Sequence, residues 1–288
     1  MNNQSAATAV PTSTPRLPLF YRALAPLHSE RHADWRLKEG DASFAAETPY
    51  VPIVVGELAQ AARTYPIVFA AGDAQPIAIL GLERRNLFLH DGRWAADAYV
   101  PAYVRRYPFG FLATMEAGSD EPTGFALAID TGSDRVAREG AEGAALFENG
   151  EPSALTRQAL EFCNAFQTEA RATMAFAKAL QDRDLLVERR ADATLPDGRK
   201  LGLEGFQVVD SAKFSTLPDD VVLEWHNNGY LAWVYFHLAS LDRFSTLLDR
   251  QALRIAVAPE SQAAASSEPV AADGDAAPKS AKSKKVVA

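Results

Sequence analysis

The feature that most constrains this chain is a change of apolar periodicity at Pro152. Before it, between residues 50 and 130, apolar residues come in short runs closed off by Pro, Gly and Asp. The runs are Pro66-Ile67-Val68-Phe69, Pro76-Ile77-Ala78-Ile79-Leu80, Leu87-Phe88-Leu89, Phe109-Gly110-Phe111-Leu112 and Phe125-Ala126-Leu127-Ala128-Ile129. Runs of this length and punctuation predict strands. Most connections between them are too short for a crossover helix, and Asp91-Gly92 supplies a tight turn, so antiparallel pairing is expected. Gly56 to Arg63 is expected to form one short helix ahead of them.

After Pro152 the period changes to that of a helix. Leu155, Ala159, Phe162, Phe166, Ala170, Thr173, Ala177 and Leu180 recur at spacings of three and four, which lines one face of a long helix with Ser153 at its N-cap and an end near Asp182 to Asp184. Gly205 to Asp210 reads as one more strand, able to rejoin the earlier sheet. Pro218-Asp219-Asp220 suits a first helical turn, where carboxylates face the positive end of the dipole, and Gly229 suits its stop. From Tyr230 the stripe Leu231, Val234, Leu238, Leu241 and Leu248 predicts helix to about Arg250. The expected fold class is α+β: a largely antiparallel sheet from the first half packed against helices from the C-terminal half, in a single domain over residues 16–257. Residues 1–15 carry no charge, and residues 258–288 are rich in Ala, Ser, Pro and Lys, so both are expected to be disordered tails.

Composition narrows the function. Lys and Arg total 29 against 37 Asp and Glu, a net charge of −8, which argues against nucleic acid or anionic lipid as a general partner. The single cysteine, Cys163, excludes an intrachain disulfide and any zinc site built on paired cysteines. No cofactor is required by the sequence. The first residues lack the pattern of a secretory signal and no stretch of about 18 apolar residues occurs, so a cytoplasmic protein without a membrane span is expected.

Three groups of residues carry candidate chemistry. In His28-Ser29-Glu30-Arg31-His32, either strand or helix geometry would place His32 and a neighbour on one face, with Glu30 and His32 as possible metal or ligand contacts. His226 and His237 lie eleven positions apart, close to three helical turns if unbroken. In the segment Tyr99 to Phe109, Arg105 and Arg106 sit among Tyr103, Tyr107 and the upstream Trp94. Guanidinium groups beside aromatic rings are the compositional mark of an interface centre, so these five are the expected binding residues. Glycine-rich phosphate loops, H-E-x-x-H and G-x-S-x-G are absent.

Several segments together resemble the bacterial SapC family: Pro18-Leu19-Phe20-Tyr21, Ser29-Glu30-Arg31-His32, Tyr65-Pro66-Ile67-Val68-Phe69, Asp91-Gly92-Arg93-Trp94, and Tyr99 through Phe109. The likeness continues through Leu203-Glu204-Gly205-Phe206 into His226, Gly229, Leu231, Tyr235 and His237-Leu238, and spans roughly residues 16–252. It implies association with bacterial surface-layer genes, whose neighbours serve the layer protein and its export. It implies no catalytic residues. The expectation is a non-enzymatic accessory protein that acts by contact with a protein partner among surface-layer or export components. The alternative is a small-molecule- or metal-binding protein or enzyme whose pocket gathers at least two of Glu30, His32, Arg105, His226 and His237.

Overall fold

The structure, a computed structural model, describes residues 17–114, 124–194, 198 and 200–257. The tails expected at 1–15 and 258–288 lie outside the described residues. One compact unit ends at Ala252, and the residues from Leu253 form a second unit; the sheets, the core and the groove all belong to the first.

The architecture is α+β, as the change of period requires. A five-stranded sheet has the order Leu186–Thr194, Lys200–Val209, Ile67–Ala70, Pro76–Ile79 and Tyr50–Pro52, antiparallel throughout. A second, three-stranded antiparallel sheet sets Gly124–Asp130 between Leu24–Pro26 and Phe109–Thr114. The apolar runs of the first half are therefore divided between two sheets. The run at Leu87 to Leu89 contributes only Leu89–His90, paired with Arg93–Trp94. Between those pairs Asp91 (φ 48°) and Gly92 (φ 74°) are both left-handed, as a two-residue hairpin turn demands.

Helical segments follow the chain as α1 (Leu58–Ala61), α2 (Ala102–Arg105), α3 (Ala154–Asp182), α4 (Ser211–Phe214), α5 (Asp219–Asn228), α6 (Tyr230–Ser240) and α7 (Arg243–Val257). The Ser153 side chain accepts from the Thr156 amide at the start of α3. Gly229, at φ 80°, closes α5 in the left-handed conformation. The single stripe expected from Tyr230 to Arg250 is two helices, turning at Leu241 and Asp242. Its apolar spacing carries on across the turn and hides it. The strand Leu186–Thr194 had no sequence signal, because it is an edge strand whose Glu188, Arg189 and Arg190 are exposed and supply no alternating apolar face.

The main core lies where α3, α5 and α6 meet the five-stranded sheet, around Phe69, Phe176, Trp225 and Val234. A smaller apolar cluster of Phe109, Ile129, Leu146, Phe147 and Cys163 joins the three-stranded sheet to the first half of α3. At the main core α6 enters the sheet itself. Pairing of Lys200–Val209 with Ile67–Ala70 is confined to Phe206 with Ala70 and Gln207 with Phe69. Continued in register, Val209 would face Ile67, but there the imidazole of His237 stands between them. Its Nε2 accepts from the Val209 amide at 3.0 Å and its Nδ1 donates to the Ile67 carbonyl at 2.8 Å. Ser240 Oγ accepts from the Ile67 amide at 3.0 Å. Two side chains of one helix thus replace the ladder bonds that two strands would have made.

A basic and aromatic groove at the Tyr99 to Phe109 turn

The turn is fixed at each end by a buried carboxylate. Glu57, at the head of α1, accepts from the Val54 amide (2.9 Å), the Ala102 amide (2.8 Å) and the Tyr99 hydroxyl (3.0 Å). Burial pushes its carboxyl up, against these donors. Asp130, fully buried, accepts from the Tyr107 hydroxyl at 3.0 Å and from the amides of Arg22, Ala23 and Gly132 at 2.8 to 3.1 Å. One carboxylate orients the first turn of α2 and the other the end of the segment.

Between these anchors the side chains diverge. Arg105 stacks over Tyr99 and over Phe162 of α3, with its carbon centre 5.7 and 5.3 Å from the ring centroids. Its Nε donates to the Val100 carbonyl (3.1 Å) and its Nη2 to the Tyr99 hydroxyl (3.0 Å). Burial, then the neighbouring Glu57 charge, push that hydroxyl up to about 12. Arg106 points the other way, against Tyr103 and Phe166 at 4.3 and 4.4 Å.

Arg105, Tyr107, Trp94, Val100, Val104 and Phe44 line an open groove of about 640 Å³. Arg93 and Arg135 add positive charge along it, and Glu39 and Asp41 add negative charge. A second hollow of about 200 Å³, reaching Arg22, Ser43 and Asp134, shares Asp41, Phe44, Tyr107 and Arg135 with it. Gly92 is required at the lip: a Cβ there would collide with the Asp41 carboxylate. Trp94 is held by its indole N–H, which donates to the Tyr65 hydroxyl at 2.8 Å. Arg135 donates to the carbonyls of Lys38 and Tyr107, and desolvation lowers its pKa.

Of the five binding residues read from the sequence, Trp94, Arg105 and Tyr107 line the groove together, whereas Tyr103 and Arg106 do not. In a short helical turn successive residues face different directions, so a run of aromatic and basic residues is shared between two surfaces. The groove also takes in Arg93, which the Asp91-Gly92 turn beside Trp94 could have indicated. Phe44, Asp41 and Arg135 come from remote segments and left no local signal.

The histidine candidates occupy three different settings. His32 is buried against Trp35 (rings 4.2 Å apart), its Nδ1 accepts from the His28 amide at 2.9 Å, and burial lowers its pKa. Glu30 beside it is exposed. His226 is exposed on α5. His237 has both ring nitrogens engaged with backbone and no position open for a ligand; burial pushes it down to about 4. Among the described residues, no three His, Cys, Asp or Glu side chains gather in a way that could hold a metal ion.

The fold and groove define an α+β protein whose prominent concave surface is aromatic and basic. The chain belongs to the SapC family, whose family model matches residues 27–247, a span that includes the groove and both sheets apart from the strand Leu24–Pro26. Comparisons with curated proteins and with solved structures give no match. Among the described residues, no helix is long and apolar enough to cross a membrane.

Proposed function

We propose that this SapC family member is a non-enzymatic accessory protein, and that its groove holds a polypeptide segment of a surface-layer or export component. The observation that carries the reading is the groove itself: an open hollow lined by apolar and aromatic residues together with three arginines. Arg93, Arg105 and Arg135 line it alongside Glu39 and Asp41, a local excess of positive charge in a chain of net charge −8. The partner segment that fits is acidic, with an aliphatic or aromatic residue beside its carboxylate. Arginine offers that carboxylate a planar fork of donors, and Trp94 and Tyr107 offer the neighbouring side chain rigid contact area. The resemblance of the whole globular part to surface-layer-associated proteins names the setting in which such a partner is sought.

The test is co-purification from the native host with an untagged chain, comparing wild type with Arg93→Glu/Arg105→Glu. Arg171→Glu, on the exposed side of α3, controls for net charge. The expected result is that a surface-layer or export polypeptide accompanies wild type and the Arg171 variant and is reduced at least tenfold with the double variant. Equal recovery with all three chains would remove the groove from the reading. A retained partner with no relation to the surface layer or export would refute the setting.

A further inference from the structure

On the opposite side of the turn from the groove lies a smaller and more enclosed cavity of about 80 Å³. Arg106, Tyr21, Gly110, Cys163 and Gln167 contribute to its wall. We propose that this cavity is a binding site for a small monovalent anion, a carboxylate of the size of formate or acetate, with Arg106 as its cationic partner.

Arg106 carries an uncompensated charge: it is half-buried and makes no ion pair among the described residues. Its Nε is buried without a hydrogen-bond partner. Three rings hold the guanidinium: Tyr103 and Phe166 at 4.3 and 4.4 Å and Tyr21 at 5.7 Å. Ring faces attract a cation, but they accept none of its N–H groups in the way an oxygen would, and a buried donor left unmade is costly. A bound carboxylate would answer the charge. Guanidinium and carboxylate are matched planar forks, which favours an oxyanion over water.

The rest of the wall suits that ligand. The Gln167 side-chain amide makes no hydrogen bond among the described residues and can donate a further one. The Tyr21 hydroxyl donates to the Phe109 carbonyl while its oxygen, like that of Tyr103, lies against the Arg106 guanidinium, so an anion here would draw on the guanidinium N–H groups that remain. Residue 110 has no side chain; a Cβ there would meet the Tyr21 ring end at 3.4 to 3.6 Å, ordinary contact, and would take up part of the space. A water occupies about 30 Å³ of liquid, so the cavity holds on the order of three non-hydrogen atoms. That admits formate, and acetate with slight relaxation.

The test is thermal unfolding in a sodium gluconate buffer, whose anion is too large to enter, with gluconate replaced stepwise by formate, acetate or chloride at constant ionic strength. The expected result is a saturable rise in melting temperature of a few degrees with formate or acetate. It should be lost in Arg106→Gln and reduced in Gly110→Ala. Should Arg106→Gln fail to fold, Cys163 supplies a readout in wild type. It is the only cysteine, it lies on the cavity wall and borders the smaller apolar cluster, and burial pushes its thiol up to about 11, so slow alkylation at pH 9 reports on opening around this residue. Formate should slow that reaction several-fold with the same half-saturation as the melting shift. Equal melting in gluconate and formate, an unsaturable rise typical of general ionic strength, an undiminished shift in Arg106→Gln, or unprotected Cys163 would each overturn the proposal. A saturable rise with chloride alone would replace a carboxylate site by a halide site and so overturn the assignment of the ligand.

Discussion

Replacing His237 tests the most unusual element of the fold, because its imidazole satisfies backbone groups of two strands at once. In His237→Leu the Val209 amide and the Ile67 carbonyl are left buried without partners, at 3.0 and 2.8 Å from nitrogens that no longer exist. An orphaned buried polar group costs about 1 to 3 kcal/mol, so the pair costs roughly 4 kcal/mol. That is a large part of the roughly 5 to 15 kcal/mol by which domains are typically stable. His237→Gln, whose amide offers one donor and one acceptor, should recover part of it. The same site sets a pH dependence. The native imidazole must stay neutral to accept from Val209, and burial lowers its pKa from 6.5 to about 4. Since the folded pKa lies below the unfolded one, the unfolded chain binds the extra proton first. The contribution is complete above about pH 6.5 and is lost as pH falls towards 4, by about 1.4 kcal/mol per pH unit and about 3 kcal/mol in all. Denaturant unfolding of wild type and His237→Gln at several pH values from 8 to 4 isolates this contribution as the difference between the two curves. Equal slopes below pH 6.5 in the two proteins, or a cost under about 1 kcal/mol for His237→Leu, would refute this account of the imidazole.

Two further substitutions test the supports of the turn and of α5. Asp130→Ala removes the acceptor of the Tyr107 hydroxyl and of three backbone amides and should cost about 3 to 5 kcal/mol in denaturant unfolding; a loss under about 1 kcal/mol would mean that water replaces the carboxylate without penalty. Gly229→Ala should cost about 1 kcal/mol, from the left-handed backbone (φ 80°) alone, since the nearest atoms to an added Cβ are 3.9 Å away in Trp233; an unchanged melting curve would contradict that.

Local chemistry made part of this structure readable from the sequence. Ser153 and Gly229 act through bonds and dihedrals within a few residues, and the helix boundaries they mark lie where the sequence placed them. The spacing of Leu155 to Leu180 needed only apolar partners along one helix face, and α3 received them from the smaller cluster in its first half and from the main core in its second. Features that depend on chain return were not readable. Nothing near Asp130 indicates that it will collect amides from Arg22 and Ala23, more than a hundred residues away in sequence. His237 looked like one histidine among several, because its role comes from an interruption between two strands that are themselves remote. At the site, residue types were legible and residue directions were not. Arg105 and Arg106 have the same chemistry in the sequence, and one helical step separates a groove residue from a cavity residue.

That single step has a physical consequence for how the two surfaces relate. Glu57 and Asp130 anchor the turn from opposite ends, each through backbone amides and a tyrosine hydroxyl, and Arg105 adds donations to the Val100 carbonyl and the Tyr99 hydroxyl, whereas Arg106 makes no such bond to the turn's backbone. Arg105 and Arg106 then both stack on α3, at Phe162 and at Phe166, one helical turn apart on the same helix face. An anion drawing on Arg106 would act on Phe166, and a carboxylate drawing on Arg105 would act on Phe162. The two arginines thus rest on one helix, which also lines the cavity through Cys163 and Gln167 but not the groove. With a braced turn and a continuous helix between them, occupancy of one site has no bistable element through which to change the other, and coupling between them should be small. The groove and the cavity are therefore separable by mutation, so loss of a partner on changing Arg105 and loss of an anion on changing Arg106 report on different surfaces.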